Sequence, residues 1–248
     1  MKLNRKIPPP IREISKLNLP RPEQITLDNG IPLYITNLGV QEIVKLELVF
    51  RAGRPFERKQ LVSRATAALM KEGTASMASG ELAERIDFYG GSLSIPYNLD
   101  TGSLILYCLT KHFEHLLPIL TEIIAAPAFP IKELETFVET SLQAQQIELT
   151  KADIVAYRKI TEYIFGSTHA YGYNSEDETY HALTQADLIA HHEAFYHAGN
   201  CEIFISGKIS AKETSLVNQY FGTMQRGQTL ETCNLDITST LPKTIILP

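Results

Sequence analysis

Two clusters of histidine and glutamate have the composition of a metal site. Residues 112–115 (His-Phe-Glu-His) look like a shortened zinc motif, and residues 191–197 look like H-E-x-x-H with the second histidine one residue late. In a helical zinc motif, two imidazoles four residues apart share one Zn²⁺, and a nearby carboxylate takes a proton from the metal-bound water. The chemistry to consider is therefore zinc-assisted hydrolysis.

Helical periodicity argues against both clusters as metal sites. At about 100° per residue, the apolar stripe of a helix over 111–126 places His115 about 145° from the buried centre and His112 near the edge of the stripe. In the second cluster, His192 lies on the apolar stripe and His197 points about 140° away from it. We interpret His112 and His115 as surface residues and His192 as a core histidine with one hydrogen bond.

The three cysteines give no sign of a disulfide framework. Cys108, Cys201 and Cys233 are far apart and form no C-x-x-C pair. An odd number without a pair indicates a reducing compartment and small buried side chains, so we predict a cytoplasmic protein. A reactive thiol is the alternative, but no sequence neighbour clearly favours a thiolate.

Composition excludes several classes of function. The chain has 248 residues, of which 44% are hydrophobic and 21% charged, an ordinary balance for a globular protein. No apolar run reaches the roughly 18 residues that a membrane helix needs, and no apolar stretch follows the basic N-terminus as in a secretory signal. Residues 1–21 carry a net charge of +5, which leaves −10 for the remainder. We therefore expect neither nucleic-acid nor membrane binding.

The pattern of apolar residues predicts an α+β fold. Alternation predicts hairpins over 24–37 and 92–108 and strands over 44–50 and 202–206, with an Asp-Asn-Gly turn in the first hairpin. Helical spacing predicts helices over 60–70, 80–89, 111–126, 131–148, 154–165, 185–197 and 211–221. Strands interspersed with helical pairs indicate helices layered on a mostly antiparallel sheet.

A series of short sequence motifs, which we call landmarks, occurs along these predicted strands and helices. They are T-L-D-N-G at 26–30, F-R-A-G at 50–53, E-G-T at 72–74, F-Y-G-G-S-L at 88–93, and the segments 164–172 and 196–207. In order and spacing they resemble the N-terminal half of a zinc peptidase of the insulinase/pitrilysin (M16) family, to which the mitochondrial processing peptidases belong. The resemblance implies a metalloprotease half-domain that pairs with a second, similar half around a substrate cavity.

The resemblance also places the family's inverted zinc motif, H-x-x-E-H, on residues that cannot bind zinc. Arg64 and Ala68 stand where the two histidines would be, and Ala67 stands where the glutamate would be. The third ligand, a glutamate in the family, falls at Gln145 or Gln146. Alanine has no donor atom, arginine carries a permanent positive charge, and a neutral amide is a poor zinc ligand. We therefore predict no catalytic residue, no metal ligand and no zinc cofactor.

These residues predict a catalytically inactive M16-like domain, the structural or substrate-holding partner of an active peptidase half or subunit. We expect a basic, proline-rich arm over 1–23, the M16-like domain over 24–235 and a linker toward a second domain over 236–248. The expected partners are a second M16-like half or subunit, with an active zinc peptidase as one candidate, and a peptide substrate.

Two other functions remain open. One is an active zinc metalloendopeptidase whose site is rebuilt from other residues, with Glu139 and Glu148 as nearby carboxylates. The other is a purely structural dimerisation module. Arg64 has two interpretations as well, a fixed charge on a cavity wall or an ordinary helix-surface arginine.

Overall fold

The computed structural model describes residues 20–227. Within them the chain forms six strands and eight helices. The strands are β1 (Glu23–Thr26), β2 (Pro32–Asn37), β3 (Ile43–Phe50), β4 (Ser92–Ser94), β5 (Gly102–Leu109) and β6 (Cys201–Gly207). The helices are α1 (Val62–Leu69), α2 (Ser79–Phe88), α3 (Phe113–Ala125), α4 (Ile131–Glu148), α5 (Ala152–Phe165), α6 (Asp177–His181), α7 (Gln185–Phe195) and α8 (Ala211–Phe221).

The strands form one open sheet in the order β1-β2-β6-β3-β5-β4. Every neighbouring pair is antiparallel except β2 and β6, which run parallel. Strand β3 lies in the centre, where Leu46 is opposite Ile205 on one side and Leu106 on the other. The predicted α+β class with a mostly antiparallel sheet is therefore confirmed.

One face of the sheet packs against the helices and carries the core. In β3, every second side chain from Val44 to Phe50 is completely buried. Lys45 and Glu47 lie on the opposite face and form an ion pair with an N–O distance of 2.6 Å. This two-residue alternation is what a sheet with one covered face requires.

Three elements differ from the prediction for local reasons. Strand β4 ends at Ser94 instead of continuing to residue 97, since Pro96 has no N–H to donate to a ladder. Helix α6 was not predicted; a capping box between Glu176 and Thr179 starts this short helix. Helix α7 ends at Phe195, so His197 lies beyond it, and its assigned direction on that helix was wrong.

Parts of the predicted domain plan lie outside the described residues. This applies to most of the 1–23 arm, to the 236–248 linker and to Cys233, so the domain boundaries stay a prediction. Cys108 and Cys201 are both buried and free, as expected. From residue 20 to residue 227, no helix combines the length and the apolar character needed to cross a membrane.

Candidate functional site

Helix α1 carries the three positions at which the sequence predicted a lost zinc motif. Arg64 is exposed, Ala67 is completely buried and Ala68 is half-buried. Arg64 and Ala68 are four residues apart and therefore share a face of the helix, as two ligands would. Only Arg64 extends a polar group from this face.

Helix α4 places the two glutamines of the predicted third position differently. Gln145 is buried, and its Nε2 donates a hydrogen bond to the carbonyl oxygen of Ser175 at 3.2 Å, whereas Gln146 is exposed. Gln145 and Arg64 line the same cavity, although they are 81 positions apart in the chain. Ala67, Ala68 and Gln146 are not among its lining residues. The structure thus brings together two of the five predicted positions.

The cavity has a volume of about 160 Å³ and lies between α1, α4, α5 and the loop over 171–175. Its buried wall includes Gln145, Tyr173 and Ser175, whereas Arg64 and Tyr157 are exposed at its mouth. The complete lining is Arg54, Arg64, Leu99, Ser141, Ala144, Gln145, Glu148, Tyr157, Arg158, Thr161, Tyr171, Tyr173, Asn174, Ser175 and Tyr180.

A hydrogen-bond network behind this cavity fixes the start of α1. The Glu57 carboxylate accepts hydrogen bonds from the backbone N–H of Ser63 at 3.1 Å and from the Ser63 hydroxyl, and its other oxygen accepts from the Tyr173 hydroxyl at 2.7 Å. The Tyr173 oxygen in turn accepts from the N–H of Leu61 at 3.3 Å. Leu61 has a left-handed backbone with φ of 69°, which a leucine adopts only when its surroundings impose it.

The charges of this network are only partly compensated. Burial raises the pKa of the Glu57 carboxyl, while the bonds from Ser63 and Tyr173 and the nearby Arg54 oppose that rise. Arg54 stacks on the Tyr173 ring with its guanidinium carbon 4.2 Å from the ring centroid, and it donates to the Tyr97 hydroxyl at 3.1 Å. Burial also raises the pKa of Tyr173. Because the Arg54 guanidinium is engaged by Tyr97 and Tyr173, it has few N–H donors left for a ligand.

The residues at this site do not fit a zinc ion. Zinc needs three or four nitrogen, sulfur or carboxylate ligands, and Arg64 instead brings a permanent cation to the position of the first. The Gln145 amide is already bonded to Ser175, and the alanines offer no donor atom. Glu148 reaches the cavity mouth but has no histidine pair to join, and Glu139 lies exposed on α4 outside the lining.

The histidine clusters have structural contacts instead. His192 is buried, and its Nε2 lies 2.8 Å from the carbonyl oxygen of Ile124, which confirms it as a core histidine. His191, which the sequence did not single out, is equally buried, with Nε2 3.0 Å from the carbonyl oxygen of Ala52. His115 is exposed and stacks on Tyr89, with ring centroids 4.8 Å apart.

The two predicted clusters thus have structural roles. Across the described part of the chain, no three His, Cys, Asp or Glu side chains are grouped as metal ligands would be.

Sequence reasoning did not select Arg158 and Tyr173, two prominent residues of the cavity. Arg158 projects from α5 and its Nη2 donates to the Ser175 carbonyl at 3.0 Å, so one carbonyl receives bonds from both Arg158 and Gln145. Tyr173 follows the landmark over 164–172 by one residue. Their roles depend on contacts between distant segments, and no local pattern marks them.

Comparison with known proteins gives a match in sequence and several in structure. Residues 182–246 match the family model described as "Peptidase M16 inactive domain". A comparison with curated proteins finds no significant match. The match to an inactive-domain model agrees with the prediction of a catalytically inactive domain.

Three solved structures show the same fold at low identity. The peptidase M16 inactive domain from Pseudomonas fluorescens has a TM-score of 0.79 and 21% identity over 86% of this chain and 53% of that one. A protease from Helicobacter pylori has a TM-score of 0.77 and 14% identity over 88% and 54%. The periplasmic protease PqqL from Escherichia coli has a TM-score of 0.75 and 16% identity over 89% and 26%.

The present chain therefore spans about half the length of the first two and about a quarter of the third. These structures and the family model confirm the resemblance that the sequence landmarks indicated.

Proposed function

We propose that this chain, an M16-like domain by its fold and by its match to the family's inactive-domain model, holds peptide substrate as the non-catalytic partner of an active peptidase half or subunit. The observation that carries the proposal is the cavity that Arg64 and Gln145 share. These are two of the positions that the resemblance assigns to zinc ligands, and neither side chain suits a zinc ion. The cytoplasmic location remains a prediction.

The edge of the sheet supports a role in holding peptides. Strand β4 (Ser92–Ser94) is the last strand on its side and pairs only with β5 among the described strands. An edge strand presents unpaired N–H and C=O groups, to which an extended peptide can add as a further strand. Because main-chain hydrogen bonds supply this binding, it requires no metal.

The surface of α5 supports a second half as the partner. None of the residues of this fourteen-residue helix is buried, and Tyr157, Ile160 and Tyr163 are 63%, 51% and 41% exposed. A helix gains most of its stability in a protein from packing an apolar face, and α5 leaves apolar side chains in solvent. A second M16-like half is the occupant we propose, because this chain covers only 53% and 54% of the length of two related structures.

The test combines metal analysis, cleavage and binding. The purified chain is assayed for zinc by mass spectrometry, for cleavage of denatured casein peptides, and for binding of the same peptides by fluorescence anisotropy. Each assay is run on the chain alone and on the chain mixed with an M16 peptidase that has an intact H-x-x-E-H motif. We expect no stoichiometric zinc, no cleavage by the chain alone, and measurable peptide binding. Peptides N-methylated at alternate positions, which cannot complete a β ladder, should bind more weakly.

Other results would favour the alternatives. Stoichiometric zinc together with cleavage by the isolated chain would establish a rebuilt peptidase site. Failure of all peptides to bind, both to the chain alone and to the chain mixed with the H-x-x-E-H peptidase, would leave a structural dimerisation module.

A further inference from the structure

We propose that the cavity between α1, α4 and α5 binds a carboxylate of the held peptide, with Arg64 and Arg158 as the groups that recognise it. The identification of the ligand as a peptide rests on the proposed function, whereas the anion site rests on the cavity itself. In this proposal an anion binds near the position at which the resemblance would place a metal cation.

The charges that line the cavity favour an anion. Three arginines line it, Arg54, Arg64 and Arg158, and Glu148 is the one carboxylate among the lining residues in the described part of the chain. Glu57 lies behind Arg54 and is engaged by Ser63 and Tyr173. The wall facing a ligand therefore carries excess positive charge, although the whole chain has a net charge of −5.

Two of the arginines have donors to spare. Within residues 20–227, Arg64 makes no hydrogen bond and no ion pair. Arg158 uses one Nη2 bond on the Ser175 carbonyl, and it forms a long ion pair of 4.0 Å with the exposed carboxylate of Glu176, which is not a hydrogen bond. A guanidinium has five N–H donors, so most of those on Arg158 and all of those on Arg64 are available.

Glu162, another acidic residue near Arg158, does not neutralise the charge of Arg158. Glu162, on the same helix, accepts bonds from Lys159 at 3.1 Å and from the Asn174 side chain at 3.2 Å. Its charge is therefore already paired with a lysine.

The shape and donors of the cavity select a carboxylate. A volume of about 160 Å³ admits a small group and excludes a large ring system. The planar fork of arginine matches the two oxygens of a carboxylate, and such charge-assisted bonds are about twice as strong as neutral ones. The buried inner wall, with Gln145 and Tyr173, limits the screening of this attraction by water. The carboxylate can come from the C-terminus of the peptide or from an acidic side chain.

The experiment compares matched peptides on matched variants of the full chain. One casein-derived peptide is prepared with a free C-terminal carboxylate and with a C-terminal amide, and a second pair carries an internal glutamate or glutamine. Binding is measured by fluorescence anisotropy to the wild type, to Arg64→Gln and to Arg85→Gln. Arg85 is the control because it is also an exposed helix arginine but lies on α2, outside the cavity lining.

We expect the wild type and Arg85→Gln to bind one free-carboxylate peptide about tenfold more tightly than its neutral counterpart, and Arg64→Gln to lose that preference. Whichever pair shows the difference identifies the source of the carboxylate. Equal binding of charged and neutral peptides to the wild type, or an unchanged preference in Arg64→Gln, would overturn the proposal while leaving peptide holding intact.

Small probes separate this proposal from the proposed function. If no peptide binds but N-acetylglycine binds to the wild type and not to Arg64→Gln, the carboxylate site stands and the peptide-holding function fails. If inorganic phosphate binds more tightly than N-acetylglycine, the assignment to carboxylates is wrong.

Discussion

Arg64 and Gln145 are two of the positions that the resemblance assigns to zinc ligands. Both side chains line one cavity, so helices α1 and α4 bring them to the same place. Gln145 differs from glutamate by one atom type, yet its amide donates to Ser175, which a carboxylate could not do. If the resemblance assigns these positions correctly, the difference from a zinc site lies in the donor atoms of the side chains.

This argument predicts that zinc binding can be restored. In the triple variant Arg64→His, Ala68→His and Gln145→Glu, three ligands would lie on the facing sides of α1 and α4, with water as the fourth. We expect about one equivalent of Zn²⁺ by mass spectrometry, with the wild type and Arg64→His alone as controls. We leave Ala67 unchanged because it is completely buried, and so expect metal binding without peptide cleavage. A folded triple variant that binds no metal would contradict the assigned frame.

At the residue scale, the sequence could predict which side chains stand at the zinc positions of the family, but not which residues those side chains contact. The resemblance located Arg64 and narrowed the third position to Gln145 or Gln146. Of the two, Gln145 is buried, and its burial depends on where the segment around Ser175 packs against α4. Arg158 could not be identified because its partner carbonyl is on that same distant segment.

At the scale of elements, α7 is held by two adjacent buried histidines. His191 and His192 contact carbonyl oxygens of different segments, at Ala52 and Ile124. Burial lowers the pKa of His191 to about 4, against the ordinary value near 6.5, and it lowers that of His192 as well. Both side chains are therefore neutral in the folded protein at pH 7.

This gives a prediction for the pH dependence of stability. Between about pH 6.5 and pH 4 the unfolded chain binds a proton at His191 and the folded chain does not, so the free energy of unfolding falls as the pH falls. Each such histidine contributes at most about 1.4 kcal/mol per pH unit. In urea unfolding between pH 7 and pH 5, His191→Gln should show a shallower loss than the wild type, because glutamine does not titrate.

The exposed His181 provides the control for this measurement. His181→Gln should keep the slope of the wild type. An equal slope in His191→Gln and the wild type would show that His191 does not contribute.

Elements with strong local signals were predicted well. The bounds of α4 and α8 agree with the prediction at both ends, since each has a clear apolar stripe and Ser210 caps α8. Strand β4 and helix α7 were predicted too long. In α7 the apolar residues continue beyond the last turn, but the backbone of Tyr196 is no longer helical, and periodicity does not report this change.

For the whole molecule, the order of the strands could not be deduced from the sequence. The two hairpins follow from local alternation, but the insertion of β6 between β2 and β3 joins segments from opposite ends of the described chain. The same long-range packing brings α1, α4 and α5 around the cavity. The sequence therefore pointed to Arg64 and Gln145 among the residues that line the cavity, but not to the other residues around them.

The exposed side of α5 leads to a prediction about assembly. If a second M16-like half covers this helix, Ile160→Asp should weaken the association of the two halves by about tenfold or more, because a charge would replace a buried apolar contact. The association is measured by sedimentation of the two halves expressed as separate chains. Lys159→Asp is the matched control on the same helix but at a charged position.

Both variants should fold as the wild type does, since residues 159 and 160 are exposed. Equal association of the Ile160→Asp variant and the wild type would place the partner elsewhere.

The position of β6 also governs when the domain can fold during synthesis. Strands β2 and β3 follow each other in the chain, yet each pairs with β6, which begins only at Cys201. A chain emerging from the ribosome therefore carries two separate pieces of sheet, β1-β2 and β3-β5-β4, each with an unpaired edge. Such edges readily pair with other chains, and these two stay open to that pairing until residue 207 has left the exit tunnel.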